Sequence, residues 1–307
     1  MAIGSVGKSQ SETTSNGLPS LYALLRILFG LIGCVSLIGL SDLATFWDPT
    51  GLVPIRSEGW RQEIISAGWG TLFGRGLFWL NLVASLLMMV GYRTSLVVPS
   101  AFVLSLLHGR WNPLPLSAAF EIRSAILFCL AWADCGSRWS VDAWLNSRRL
   151  AAHAETALGH QLSPASFWPL RLIRYQVALI YFSTGLWKLG GEEWRHGGAL
   201  YYTLNNNGFA RFASSPPDGL LPVLILGTYV TLAWELTFPL LLAFRRTRWI
   251  PLAIGVVMHL GMWLTMELGP FPLVMLASYV AFLSPEWLSG LSSKQSTFRP
   301  ERRTEVA

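Results

Sequence analysis

Long apolar runs separated by short polar loops recur through this chain, and they constrain its fold more than any other feature. A helix needs about 20 predominantly apolar residues to cross the ~30 Å hydrocarbon core of a bilayer. Eight windows meet or approach that length, at roughly 20–40, 74–92, 95–109, 118–134, 168–190, 219–243, 249–267 and 270–286. The third is short, so seven or nine spans are alternatives to eight. The expected fold class is therefore all-α, a polytopic integral membrane bundle of about eight transmembrane helices. Two of the loops read as helices lying in the headgroup layer, because each sets apolar and tryptophan side chains among charges. One is Ser57–Leu72, with Trp60, Ile64 and Ile65; the other is Arg138–Leu150, with Trp139, Trp144 and Leu145.

Charge supports the membrane reading. Only 13% of the residues are charged, against about 25% in soluble domains, and 15 tryptophans suit a membrane–water boundary. The net charge of +6 does not imply a nucleic-acid partner, because most arginines lie in short loops between apolar runs, where they orient the chain in the bilayer. With eight spans, one side carries Lys8, Arg93, Arg138, Arg148, Arg149, Arg245, Arg246, Arg248, Lys294, Arg299, Arg302 and Arg303. The other carries Arg56, Arg61, Arg75, Arg110, Arg195 and Arg211. This asymmetry puts both termini in the cytoplasm of a multi-pass cell-membrane protein.

Residues 1–18 are read as a disordered cytoplasmic N-terminus, 19–287 as the transmembrane domain and 288–307 as a disordered basic tail. The first apolar run lacks a small-residue cleavage site and reads as an uncleaved anchor. Cys34, Cys129 and Cys135 have no metal-ligand spacing, so neither a zinc site nor a disulfide framework is expected.

Ionisable side chains within membrane helices carry the functional signal, since each needs a partner or a role. Arg26, Arg174 and Glu235 fall in one layer of the inner half, where Glu235 is expected to neutralise one or both arginines as a structural ion pair. The outer half holds His108, Glu121, Arg123, Lys188 and His259, the last roughly 12 Å below its helix end at 1.5 Å per residue. Tyr181, Thr184 and Lys188 share one helix face by their spacing, and Gly185 on that face allows a helix or a flat ligand to approach closely. Each has a plain alternative: a terminal lysine that snorkels to the headgroups, a neutral core histidine, a belt tyrosine.

The segment RYQVALIYFSTGLWKLGGEEWRHGGALYYTL resembles the central motif of the horizontally transferred transmembrane (HTTM) family, which includes the membrane domain of vitamin K-dependent γ-glutamyl carboxylases. MHLGMWLTMELGPFPLVMLASYVAFLSPEW is similar to the carboxylases' histidine-containing helix and the Phe…Met-Leu-Ala…Pro-Glu-Trp run after it, and RWSVDAW and WELTFPLLL look like shared elements. In the carboxylases the lysine of this pattern deprotonates vitamin K hydroquinone; oxygen then yields an epoxide and an alkoxide that removes a γ-proton from a peptide glutamate before carbon dioxide adds. The resemblance implies Lys188 as base, with His259 and Glu121 tuning or relaying protons. It also implies Tyr181, Thr184 and Trp187 against a reduced, vitamin K-like quinone. Where many members show Gly-Gly-Asp, this chain reads SAAFEIR, so either Glu121 replaces that acid or the function is lost. Trp187, just before the lysine, makes the site bulkier.

Two classes of function fit these residues. One is a quinol-linked enzyme modifying a small secreted peptide, with a quinone reductase as partner. The other is a non-catalytic membrane factor in maturation or export of such a peptide. A transporter ranks below both, because no pair of broken helices in corresponding halves and no inverted repeat is evident.

Overall fold

The computed structural model describes residues 4–51, 53, 55, 58–113, 118–152, 166–212, 217–285 and 287–288. Among them the fold is all-α, apart from one isolated antiparallel bridge between Ala210 and Met266. The helices are α1 (Gly4–Ile38), α2 (Leu43–Phe46), α3 (Trp60–Ser66), α4 (Gly70–Val90), α5 (Thr94–Trp111), α6 (Ala118–Leu130), α7 (Val141–Ala152) and α8 (Trp168–Gly190). They continue with α9 (Glu192–Arg195), α10 (Ala199–Asn205), α11 (Leu221–Ala243), α12 (Trp249–Thr265) and α13 (Phe271–Tyr279), extended by a 3₁₀ turn over Val280–Phe282.

A helix occupies each of the eight apolar windows, and α3 and α7 fall within the two loops read as interfacial. Among the described residues, three segments are long and apolar enough to cross a membrane: Gly17–Ile38, Gly70–Val90 and Leu221–Ala243. The apolar segments Trp249–Thr265 and Phe271–Phe282 are shorter. Helix α1 begins at Gly4, ahead of its apolar run. The expected C-terminal tail lies outside the described residues from 289 onward.

Prolines and a glycine place several helix ends. Pro169, Pro222 and Pro272 sit in the first turns of α8, α11 and α13, where a missing N–H leaves no intrahelical bond unmade. Gly91 closes α4 in the left-handed region (φ 76°, ψ 46°), and its N–H reaches the carbonyls of Leu87 and Met88.

Consecutive long helices neighbour one another: α1 on α4, α4 on α5, α5 on α6, α6 on α8, α8 on α11, α11 on α12 and α12 on α13. Helix α13 then returns against α1 and α6. The bundle thus closes around one core, from Leu21, Leu25 and Phe29 of α1 through Ile126 and Leu130 of α6 to Phe238 and Met275. A smaller cluster of Trp47, Phe78 and Trp111 seals the end where α5 finishes.

Two arginines, one buried and one half-buried, tie the helices together in a way the expected ion pairs did not foresee. Arg26 is fully buried and donates to four backbone carbonyls: Cys135 (3.0 Å), Met88 (2.5 Å), Met89 (2.7 Å) and Trp139 (2.6 Å). Met88 and Met89 lie in the last turn of α4, Cys135 and Trp139 in the loop between α6 and α7, and the forked guanidinium matches several of these carbonyls at once. Arg174 donates to the carbonyl of Ala281 (2.7 Å). Neither arginine takes Glu235, which the structure gives to Lys188.

The RWSVDAW element has a structural role at the same end. Arg93 takes a left-handed conformation (φ 46°) ahead of α5. The Asp142 carboxylate accepts the N–H of Arg93 (2.7 Å), the N–H of Thr94 (2.8 Å) and the Thr94 hydroxyl (2.9 Å). An aspartate from α7 thereby caps α5 across the loop.

Candidate functional site

Helix α8 positions the lysine. Because Cβ atoms tilt toward a helix N-terminus, a side chain at 188 leans back over the turn holding Thr184, and there the Lys188 ammonium donates to Glu235 Oε1 of α11. The Lys188 side chain is 24% exposed and that of Glu235 5%. The lysine is therefore held in the bundle wall, not extended to the headgroups. Thr184 Oγ1 is 3.2 Å from Glu235 Oε2 and 2.9 Å from the carbonyl of Ile180, and its single proton serves one acceptor at a time. Trp194 of α9 presents its ring 4.9 Å from the Lys188 ammonium, a cation–π contact.

The close approach of α8 and α11 depends on Gly185, as a Cβ there would lie 3.1 Å from the Glu235 Cβ and from the backbone nitrogen of Leu236. That contact also explains why the depth expected for Glu235 was wrong. Five residues of α8 follow Gly185, whereas fourteen of α11 precede Glu235. At 1.5 Å per residue, α11 therefore starts about 13 Å beyond the end of α8. Helices α9 and α10 cover the overhang, with the Leu200 N–H on Thr228 Oγ1 (3.2 Å) and the Tyr229 hydroxyl on the Arg195 carbonyl (3.0 Å). Pro239 stands four residues after Glu235 and cannot donate to its carbonyl, which opens the α11 ladder beside the acid.

About two turns before Lys188 on α8 lies a second, buried group. The Tyr181 hydroxyl is 2.7 Å from His259 Nε2 of α12 and 2.5 Å from the Tyr279 hydroxyl of α13. Its ring rests on Phe238 (4.2 Å) and Trp234 (4.6 Å), the residue before Glu235. Proton direction depends on the histidine tautomer: either Tyr279 donates to Tyr181 and Tyr181 to His259, or the chain runs in reverse. His259 Nδ1 is buried and has no partner among the described residues. Gly255 makes room for this triad, because a Cβ there would sit 2.1 Å from the Tyr279 hydroxyl oxygen.

Lys188, Thr184, Tyr181 and His259 are thus brought together, with Glu235 in a role different from the one expected. The remaining candidates lie elsewhere. Trp187 is 87% exposed, turned about 100° from Lys188 around the helix, and it lines nothing in the cluster. Glu121 is exposed on the first turn of α6 and borders a large cavity whose wall includes neither Lys188 nor Glu235. His108 packs between Trp47 (4.3 Å) and Phe120 (5.0 Å), and buried Arg123 donates to the Phe29 carbonyl (3.3 Å) and Ser85 Oγ (3.1 Å). The expected outer layer therefore splits between two halves of the bundle. Tyr279 and Trp194 escaped the sequence reading, because an uncharged aromatic in a run such as LVMLASYVAF or beside the membrane looks like ordinary packing. Among the described residues no group of histidine, cysteine or carboxylate side chains could hold a metal ion.

The cluster offers an amine, a carboxylate able to exchange a proton with it, and a hydroxyl–imidazole chain about two turns from the amine along α8. Thr184 is exposed while Tyr181, Glu235 and His259 are buried, so the cluster has one outward-facing edge.

Comparison with known proteins locates this architecture. The HTTM domain profile matches residues 18–287. Uncharacterized protein YitO of Bacillus subtilis (strain 168) is 31% identical over 120 residues, covering 37% of this chain and 38% of that protein. Sporulation-delaying protein SdpB of the same strain is 29% identical over 133 residues, covering 39% of this chain and 38% of that protein. The chain thus spans well under half the length of these relatives. No solved structure matches.

Proposed function

This chain belongs to the HTTM domain family, and on that premise we propose that it is an integral membrane enzyme whose Lys188–Glu235 pair transfers protons in quinol-linked modification of a peptide. The supporting observation is that a buried carboxylate, not the headgroup layer, holds the ammonium of Lys188. An amine serves as a base only after losing its proton, and Glu235 is the adjacent group able to receive it. Thr184 steadies the carboxylate, while Tyr181, His259 and Tyr279 form a separate hydrogen-bonded chain two turns before the lysine on α8. A reduced quinone of the vitamin K type, held at the edge formed by Thr184, would supply an acidic hydroxyl. The substrate in this reading is a small secreted peptide, and a quinone reductase is the partner that keeps the quinone reduced. The arginine and lysine asymmetry favours cytoplasmic termini and an outward-facing Lys188.

A second reading draws support from the match to the sporulation-delaying protein SdpB: a non-catalytic membrane factor in maturation or export of a secreted peptide, with Lys188 acting only as a cation. Lys188→Arg separates the two, because arginine keeps the charge and cannot be deprotonated. Wild type and variant, purified and matched for folding in lipid nanodiscs, are supplied with vitamin K hydroquinone, oxygen and glutamate-containing peptides. Oxidation of the quinol by wild type and its loss in the arginine variant support the enzyme. Equal behaviour of the two, or no turnover by wild type, moves the function to the non-catalytic factor.

A further inference from the structure

A cavity of about 1810 Å³ runs between α5, α6, α8 and α11, separate from the Lys188 cluster. Three features of its wall identify its occupant. The first is polarity. Its four charged lining residues, Glu58, Arg61, Arg110 and Glu121, come from the stretch entering α3, from α3 itself, from the end of α5 and from the first turn of α6. They therefore gather at one mouth. Deeper in, phenylalanines and leucines such as Phe102, Phe128, Leu179 and Leu240 dominate. The Ser105 and Ser124 hydroxyls bond to each other (2.6 Å), and Tyr175 and Gln176 are the other strongly polar side chains there.

The second feature is length. On α6 the lining runs from Ala118 to Cys129, about 16 Å at 1.5 Å per residue. That is close to half of the ~30 Å hydrocarbon core: one leaflet's depth, too short for a spanning peptide helix. The volume also exceeds the roughly 300–1,000 Å³ of sites for small molecules. The third feature is charge balance. The mouth carries two guanidinium groups and two carboxylates, and among the described residues none of the four forms an ion pair with another. Among the described residues, Arg61 alone of the four has a hydrogen bond there, to the Arg110 carbonyl (3.2 Å).

We propose that this cavity binds a zwitterionic phospholipid from one leaflet. Its phosphate lies with Arg61 and Arg110, its ammonium with Glu58 and Glu121, and its acyl chains lie along the apolar wall. Guanidinium–phosphate contacts supply the strong, directional part of recognition, and the paired carboxylates select against lipids of net negative charge.

The full chain, delipidated in detergent, is titrated with dioleoylphosphatidylethanolamine, and bound lipid is counted by native mass spectrometry. Dioleoylphosphatidylglycerol and a hydrophobic membrane-spanning peptide serve as competitors. The expected result is a single saturable phosphatidylethanolamine that neither competitor displaces. Ala125→Trp, which fills the cavity, should abolish binding. The double variant Arg61→Gln/Arg110→Gln, altered at the mouth and not in the core, should weaken it about tenfold and carries the test if the tryptophan variant misfolds. Many weak, non-saturating lipids unaffected by the double variant, equal binding of phosphatidylglycerol, or displacement by the peptide would each overturn the proposal.

Discussion

Replacing Lys188 with methionine should expose what the Lys188–Glu235 pair contributes. Methionine keeps the length of the side chain and removes the charge, leaving a 5%-exposed carboxylate without its cation. Breaking a buried pair in this way costs about 3–5 kcal/mol. An independent ceiling comes from protonation, since a carboxylate that cannot be paired neutralises instead. Protonating an ordinary glutamate carboxyl at pH 7 costs about 3.7 kcal/mol. Because Lys188 is itself 24% exposed, water offsets part of the loss, and about 3 kcal/mol is expected. The pH dependence has a definite sign. At lower pH the orphaned carboxyl takes up its proton more cheaply, so the loss should shrink between pH 7 and pH 6, by no more than about 1.4 kcal/mol. Adding Glu235→Gln removes the stranded charge and should return the double variant to within about 1 kcal/mol of wild type. Reversible unfolding of the four proteins in mixed micelles at both pH values gives the cycle. A Lys188→Met loss below about 0.5 kcal/mol and unchanged between the two pH values would refute the buried pair and make Lys188 a surface anchor.

Other parts of the structure make independent predictions. Gly255→Ala puts a Cβ within 2.1 Å of the Tyr279 oxygen, so the hydroxyl triad must separate; a loss of about 1–3 kcal/mol is expected, and adding Tyr279→Phe should recover part of the melting temperature by removing the clashing oxygen. Asp142→Ala strips α5 of its cap, which should cost about 1–2 kcal/mol and speed hydrogen exchange at Thr94. Arg26→Lys cannot reach all four carbonyls that the guanidinium satisfies, so a loss of about 2 kcal/mol in unfolding free energy is expected.

Residues alone revealed the features that depend on neighbours along the chain. Apolar length placed helices in all eight windows, and the 3.6-residue period put Tyr181, Thr184 and Lys188 on one face. His259, counted roughly 12 Å below its helix end, meets Tyr181, which lies nine residues before the end of α8, about 13 Å at the same rise. The same counting failed for Glu235, since it assumes that all helices end at the membrane surface, whereas α11 overruns α8 and is covered by α9 and α10. Only the tertiary structure could match Glu235 to Lys188 instead of Arg26, because a guanidinium can be satisfied by carbonyls of a neighbouring helix end and of a loop, and those lie more than sixty residues away along the sequence. Helix period and hydrophobic length are local properties of a sequence. The choice of partner for a buried charge depends on the vertical offset between packed helices, which close contacts such as that of Gly185 with Glu235 set in three dimensions.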